Sequence, residues 1–248
     1  MREIIQEDPK RIKIGIDETN AFQKKKEVSV FSEKLSCHFK KASDLFCQMA
    51  VPVAVVQDIT YPQFQSIYSG DGLNEPRAPL NDIMIDNAVY LLFAMTLGSD
   101  VSLYISDLFK KGEHLLGHLL DEICSMGIEV FADEMTGMCF AGEVSRGTLN
   151  NNDIMLRYSP GYCGWHITGQ KYLHEYLQSY NIGITLTDTF YMKPIKSISG
   201  VMIGCSPSVH DFNNTYPFCG SCRTKTCRKR LFVNGIQNNK GVKIWNRY

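Results

Sequence analysis

The sequence has no charge of one sign to spare. Its 26 Lys+Arg balance 26 Asp+Glu, so nothing global recruits a polyanion or an anionic membrane, and no nucleic-acid partner is expected. No apolar run reaches the ~20 residues of a membrane-spanning helix. The start, MREIIQEDPKRIKIG, has neither the apolar stretch of a secretory signal nor the acid-poor character of a transit peptide, and points to the cytoplasm. There is no internal repeat or low-complexity linker. No glycine-rich phosphate loop follows a strand, and no nucleophile elbow or protease context is present, so no catalytic residue is assigned. A hydrophobic content of 44% against 21% charged residues places the chain among folded rather than disordered proteins.

Cysteine is the residue in excess. Cys37, Cys47, Cys124 and Cys139 fall in helical stretches, where a free thiol behaves as a small buried hydrophobe. Cys163, Cys205, Cys219, Cys222 and Cys227 lie in turn-rich sequence, which in a reducing compartment favours metal or redox chemistry over disulfides. Cys219-Gly-Ser-Cys222 is a C-x2-C pair whose turn directs both sulfurs inward, and Cys227 follows closely. Arg223, Lys225, Arg228, Lys229 and Arg230 surround them and favour thiolates. Cys205 or Cys163 would complete a closed site, or the site keeps an open position. Spacing does not separate zinc from an iron–sulfur cluster, nor either from reactive redox thiols. His114, His118 and Glu122 share one helical face, but HLLGH lacks the acid of a HExxH site and reads more simply as a solvated face.

Periodicity predicts a helix over 32–50 behind a Ser32 cap, then a β-branched strand at 52–59. The run 82–98 is apolar and suits a strand or a buried helix. From Ser99 to about Glu143 an apolar stripe at helical spacing predicts two helices divided at Gly112. TGQKYLHEYLQSY (168–180) predicts a further helix ended by Asn181 and Gly183. ITLTDTFYM (184–192) alternates as a strand, and KPIKSISGVMIGCS (193–206) adds a turn and a second strand, together an antiparallel pair. The whole predicts an α+β fold, long helices packed on a twisted antiparallel sheet. Three regions are expected: a helical, polar segment 1–50, a core 51–206, and a cysteine-containing extension 207–248.

RYSPGYCGW (157–165) is the stretch with most chemistry. Pro160-Gly161 is a strong turn signal, flanked by a fixed charge on Arg157 and an aromatic plane on Tyr162. It is either a structural loop with a satisfied arginine or a loop that grips a small ligand.

FAMTLGSDVSLYISDLFKKGEHLLGHLLDEICSMGIEVFADEM (93–135), RYSPGYCGW and LTDTFYMKPIKSISG (186–200) together resemble the activation domain of vitamin B12-dependent methionine synthase. The likeness is greatest to the short stand-alone members of anaerobic bacteria, and it spans roughly residues 50–205. The R-x-[SA]-P-G-Y motif carries it most specifically. This resemblance implies S-adenosylmethionine binding beside cobalamin, in support of reductive remethylation. Arg157, Ser159, Gly161 and Tyr162 match the family's adenosylmethionine-binding loop, whose open turn supplies backbone hydrogen bonds. Glu129 matches the acid that holds the ligand's cationic end. No D-x-H-x-x-G sequence is present to ligate cobalt, so cobalamin is expected on a partner, a corrinoid protein or methyltransferase. Whether the chain is itself a methyltransferase component or a reactivation partner is left open. The Cys219/Cys222/Cys227 cluster has no counterpart in the long synthases. It carries the alternative reading, a zinc or iron–sulfur redox module serving a corrinoid-dependent methyltransferase.

Overall fold

The computed structural model describes residues 1–12 and 29–210, with side chains of the first long helix from residue 35 onward. Cys219, Cys222 and Cys227 lie outside the described residues. Six helices are described: α1 (Ser29–Met49), α2 (Tyr61–Ser69), α3 (Pro79–Ile83), α4 (Ser99–Lys110), α5 (His114–Arg146) and α6 (Gly169–Leu177). The strands are β1 (Arg2–Gln6), β2 (Val53–Ile59), β3 (Val89–Thr96), β4 (Ile154–Tyr158), β5 (Thr185–Leu186), β6 (Met192–Lys193) and β7 (Ser197–Cys205). A five-stranded sheet runs in the order β1-β2-β3-β7-β4, and β5-β6 form a small ribbon. The β1/β2, β4/β7 and β5/β6 ladders are antiparallel. The fold is mixed helix and antiparallel sheet, an α+β architecture. No helix among the described residues is long and apolar enough to cross a membrane.

The chain forms two compact units, each assembled from separated segments. The first comprises Met1–Gln57, Phe93–Met135 and His174–Ser199. Within it α1 packs on α4. Gly112, at φ 78, breaks α4 from α5 where the sequence places a break. Gly117 lets Phe109 and Leu108 approach, since a Cβ there would sit 3.3 Å from the Phe109 ring. Lys196 is pinned by Asp121, whose carboxylate is 2.8 Å from Nζ, and donates to Ser125 Oγ at 2.8 Å and the Asp121 carbonyl at 3.1 Å. A buried ammonium so completely partnered is structural. Arg2 fastens the first strand by donating Nε and Nη2 to the Leu177 carbonyl.

The structure departs from the sequence pattern at two points. Residues 184–192 are not one strand: Thr187 accepts from the Tyr191 N–H through Oγ1 and donates its own N–H to the Tyr191 carbonyl, folding the segment into a tight ribbon. The second strand, β7, therefore takes β4 as its antiparallel partner. Cys37, expected to be buried, is exposed, while Cys124 is buried.

His174 is buried and its Nδ1 contacts Ser179 Oγ. Burial pushes its pKa down to about 4 from 6.5. As pH falls below 6.5 the unfolded chain takes up a proton that the native ring refuses. Stability from this group is therefore complete above about pH 6.5 and declines until about pH 4. Between pH 7 and 5 the loss is about 2 kcal/mol. Denaturant titrations at both pH values should show a smaller loss for His174→Gln than for the parent. Equal losses would mean the native ring protonates freely.

The second unit comprises Asp58–Leu92, Thr136–Leu173 and Gly200–Tyr248. Thr60 opens α2 with a capping box: its hydroxyl accepts from the Gln63 N–H, and Gln63 Oε1 accepts from the Thr60 N–H at 2.8 Å. The helix carries Phe64 and Tyr68 into an aromatic cluster with Tyr90 and Trp165, ring centroids 5.3–6.1 Å apart.

Candidate functional site

IMLRY is the strand that delivers the RYSPGYCGW loop. Arg157 is 8% exposed, and its Nη1 donates to Thr136 Oγ1 on α5 at 3.0 Å. One side chain of the long helix thus fixes the guanidinium. Past Tyr158 the chain makes two consecutive turns. In the first, the Tyr162 N–H donates to the Ser159 carbonyl at 3.1 Å, with Pro160 and then Gly161 at φ 88 in the centre, the type II pattern. In the second, the Trp165 N–H donates to the Tyr162 carbonyl at 3.0 Å, with Cys163 and Gly164 both left-handed. The Gly161 N–H then closes the pair onto the Trp165 carbonyl at 2.7 Å.

This closure differs from the open turn the resemblance implies. The N–H groups of Gly161, Tyr162 and Trp165 are consumed inside the loop because each turn satisfies its own donors. What the loop presents is Tyr162, 47% exposed, the half-buried Ser159, and bare backbone at the exposed Gly161. Its back is held by residues 74–78. The Glu75 N–H donates to the Gly164 carbonyl at 3.0 Å, and Asn74 Oδ1 accepts from the His166 N–H at 2.9 Å. A Cβ on Gly164 would stand 2.6 Å from Ala78 Cβ, so glycine is required there by space as well as by φ 77.

Ser159, Gly161 and Tyr162 thus share one hydrogen-bonded loop, and Arg157 stands just before it on β4. Glu129 lies exposed on α5, seven residues before Thr136 and so on the same helical face. Thr136 and Asn74, which position the loop, escape sequence reasoning, since neither belongs to a motif.

Cys205 closes β7 and is buried, with Sγ 3.2 Å from His210 Nε2; the other ring nitrogen of His210 meets the Tyr158 hydroxyl at 2.7 Å. Burial pushes the Cys205 thiol up to about 12, Asp153 adding to it. Burial also lowers His210 to about 4, against a hydrogen bond that the ring donates to the Ile154 backbone, which raises it. Burial, then Cys163, raises Tyr68 to about 12. Among the described residues no group of three or more His, Cys, Asp or Glu is placed to hold a metal ion.

Residues 84–215, over half of the chain, match the family described as vitamin B12 dependent methionine synthase, activation domain. No curated protein matches the chain significantly. Among solved structures the fold is similar to a crystal structure of the MetH reactivation domain bound to AdoHcy. The TM-score is 0.56 at 12% identity, over 82% of this chain and 78% of that one. With β4, the double turn and α5 arranged as described, the chain belongs to the family of the vitamin B12-dependent methionine synthase activation domain.

Proposed function

We propose that this protein binds S-adenosylmethionine, or its demethylated product, against the Arg157–Tyr162 loop and supports remethylation of cobalamin carried by a partner corrinoid protein or methyltransferase. Family membership supports the reading, as does the AdoHcy bound to the structurally similar domain. The observation that carries it is the buried, Thr136-anchored guanidinium of Arg157 beside an exposed Tyr162 on a loop that satisfies its own backbone. The donor set suits an amino-acid-bearing sulfonium ligand. Arg157 meets the carboxylate with a planar, permanently charged fork, and its Thr136 bond restricts the approach to one direction. Glu129 takes the cationic end. Gly161, lacking a Cβ, lets the ligand lie on the backbone, and Tyr162 offers a π face beside it. The ligand supplies an electrophilic methyl group on sulfur. The chain binds and orients it, and no side chain is assigned a proton or a covalent step.

Calorimetry should detect S-adenosylhomocysteine, and Arg157→Ala should weaken it by ~1.5–3 kcal/mol, the worth of a charge-assisted hydrogen bond. Arg157→Lys, which keeps the charge but not the fork, serves as a folded control. Absence of heat at millimolar ligand with folded protein would remove the site.

A further inference from the structure

The carboxamide of Asn74 serves two elements at once. Its Nδ2 donates to the Tyr68 carbonyl at 2.5 Å, and its Oδ1 accepts from the His166 N–H at 2.9 Å. Tyr68 lies in the last turn of α2, where a helix leaves its carbonyls without internal donors. Asn74 supplies the donor that this carbonyl lacks. His166 follows Trp165 directly, at the exit of the double turn. One half-buried side chain thus ties the end of α2 to the ligand loop.

Apolar packing joins the same two elements separately, through the rings of Tyr68 and Trp165 at 5.7 Å. Such packing is non-directional, so it brings the loop close without fixing which way it faces. Hydrogen bonds are directional, and those of Asn74 settle the direction. The neighbouring Glu75 N–H, on the Gly164 carbonyl at 3.0 Å, holds only while residue 74 stays in place. The position needs a donor and an acceptor on one short planar group, and asparagine has both. Aspartate at neutral pH keeps the acceptor, loses the donor and sets a charge against the Tyr68 carbonyl. Leucine, of similar size, has neither.

We propose that Asn74 is a positioning residue for the ligand loop: by holding His166 to the end of α2, it sets where Gly161 and Tyr162 meet the adenosyl ligand. The constraint has a short path. Trp165, the neighbour of His166, accepts the Gly161 N–H on its carbonyl, so a displaced His166 carries Gly161 with it. Asn74 acts through the loop and is assigned no contact with the ligand. Its effect on binding rests on the ligand reading above. Its hold on the loop does not, because both bonds form without ligand.

The test compares Asn74→Asp with the parent, full chain in each case, by calorimetry with S-adenosylhomocysteine. At about pH 8 the variant should bind about tenfold more weakly, the order expected for a lost donor with repulsion in its place. At about pH 4.5 the carboxyl takes up a proton, regains a donor for the Tyr68 carbonyl, and the ratio to the parent should shrink. Asn74→Leu should be weak at both pH values. Asn81→Asp removes the bond from Asn81 Nδ2 to the Pro76 carbonyl at 3.2 Å, which does not reach the loop, and should bind as the parent does. Hydrogen exchange on the free proteins gives a readout without ligand: the amides of Glu75, Trp165 and His166 should exchange about tenfold faster in Asn74→Leu. Parent-like affinity in Asn74→Asp at the higher pH overturns the positioning role, as does a loss that acid leaves unchanged. Parent-like exchange in Asn74→Leu overturns it too. No heat in the parent would instead remove the ligand reading, and the exchange rates would still decide whether Asn74 holds the loop.

Discussion

Gly200→Val is expected to lower the unfolding midpoint more than any other glycine substitution in the sheet. A Cβ at this position would fall well inside 3.0 Å of the Tyr158 carbonyl oxygen, 2.9 Å from its carbon and 3.0 Å from Ser159 Oγ. The obstacle is backbone, so rotamer adjustment gives no relief. β7 must instead separate from β4 at the Val201↔Tyr158 end of their ladder. Overpacking in a core typically costs 1–3 kcal/mol, and about 3 kcal/mol or more is expected where backbone must move. Gly200→Ala already introduces the clash and should show most of the loss. Urea titration of both variants measures it. A midpoint unchanged in Gly200→Ala would mean that the two strands are not in this close contact.

Trp165→Ala is expected to cost ~3–5 kcal/mol, the range for deleting a large buried aromatic. Trp165 is 1% exposed, meets Phe64 edge-on at 5.6 Å and lies 5.7 Å from Tyr68. A Cβ on Gly169 would collide with its indole, so the ring is enclosed from that side too. Its main chain closes the second turn and accepts the Gly161 N–H, but the substitution leaves those hydrogen bonds available. Stability should therefore fall further than ligand affinity measured at a temperature where the variant is folded. Trp165→Phe should recover most of the stability, because the indole N–H makes no hydrogen bond to another described residue. A small loss in Trp165→Ala would show that the aromatic cluster readily collapses around the gap.

Helical spacing suffices to place α4 and α5, because Val101, Ile105 and Leu108, then Leu116, Leu119, Leu120 and Ile123, are all buried on one stripe. The run 82–98 stays ambiguous until the fold is known, since β3 is buried from Tyr90 to Thr96 and so loses the alternation that marks a half-exposed strand. β4 escapes for the same reason: Met155 to Tyr158 are all buried, and a buried arginine among them looks like the start of a loop. α2 is signalled by Thr60 and Gln63, a capping box obscured by the polar residues that follow. The resemblance picks out the ligand loop through Arg157 and Pro160-Gly161-Tyr162. It does not reveal that the loop spends its own N–H groups, which depends on the left-handed Cys163 and Gly164. His210 stands five residues after Cys205, but proximity in space, not spacing, makes the two a pair.

The closed double turn has a kinetic consequence. Because its amides already have partners, a ligand arriving at Arg157 and Tyr162 meets a surface that does not need to be assembled first. Association should then be a single bimolecular phase whose observed rate grows linearly with ligand concentration, without the plateau of a rearranging loop. Amide hydrogens of Gly161, Tyr162 and Trp165 should exchange slowly before ligand is added, and little more slowly afterwards.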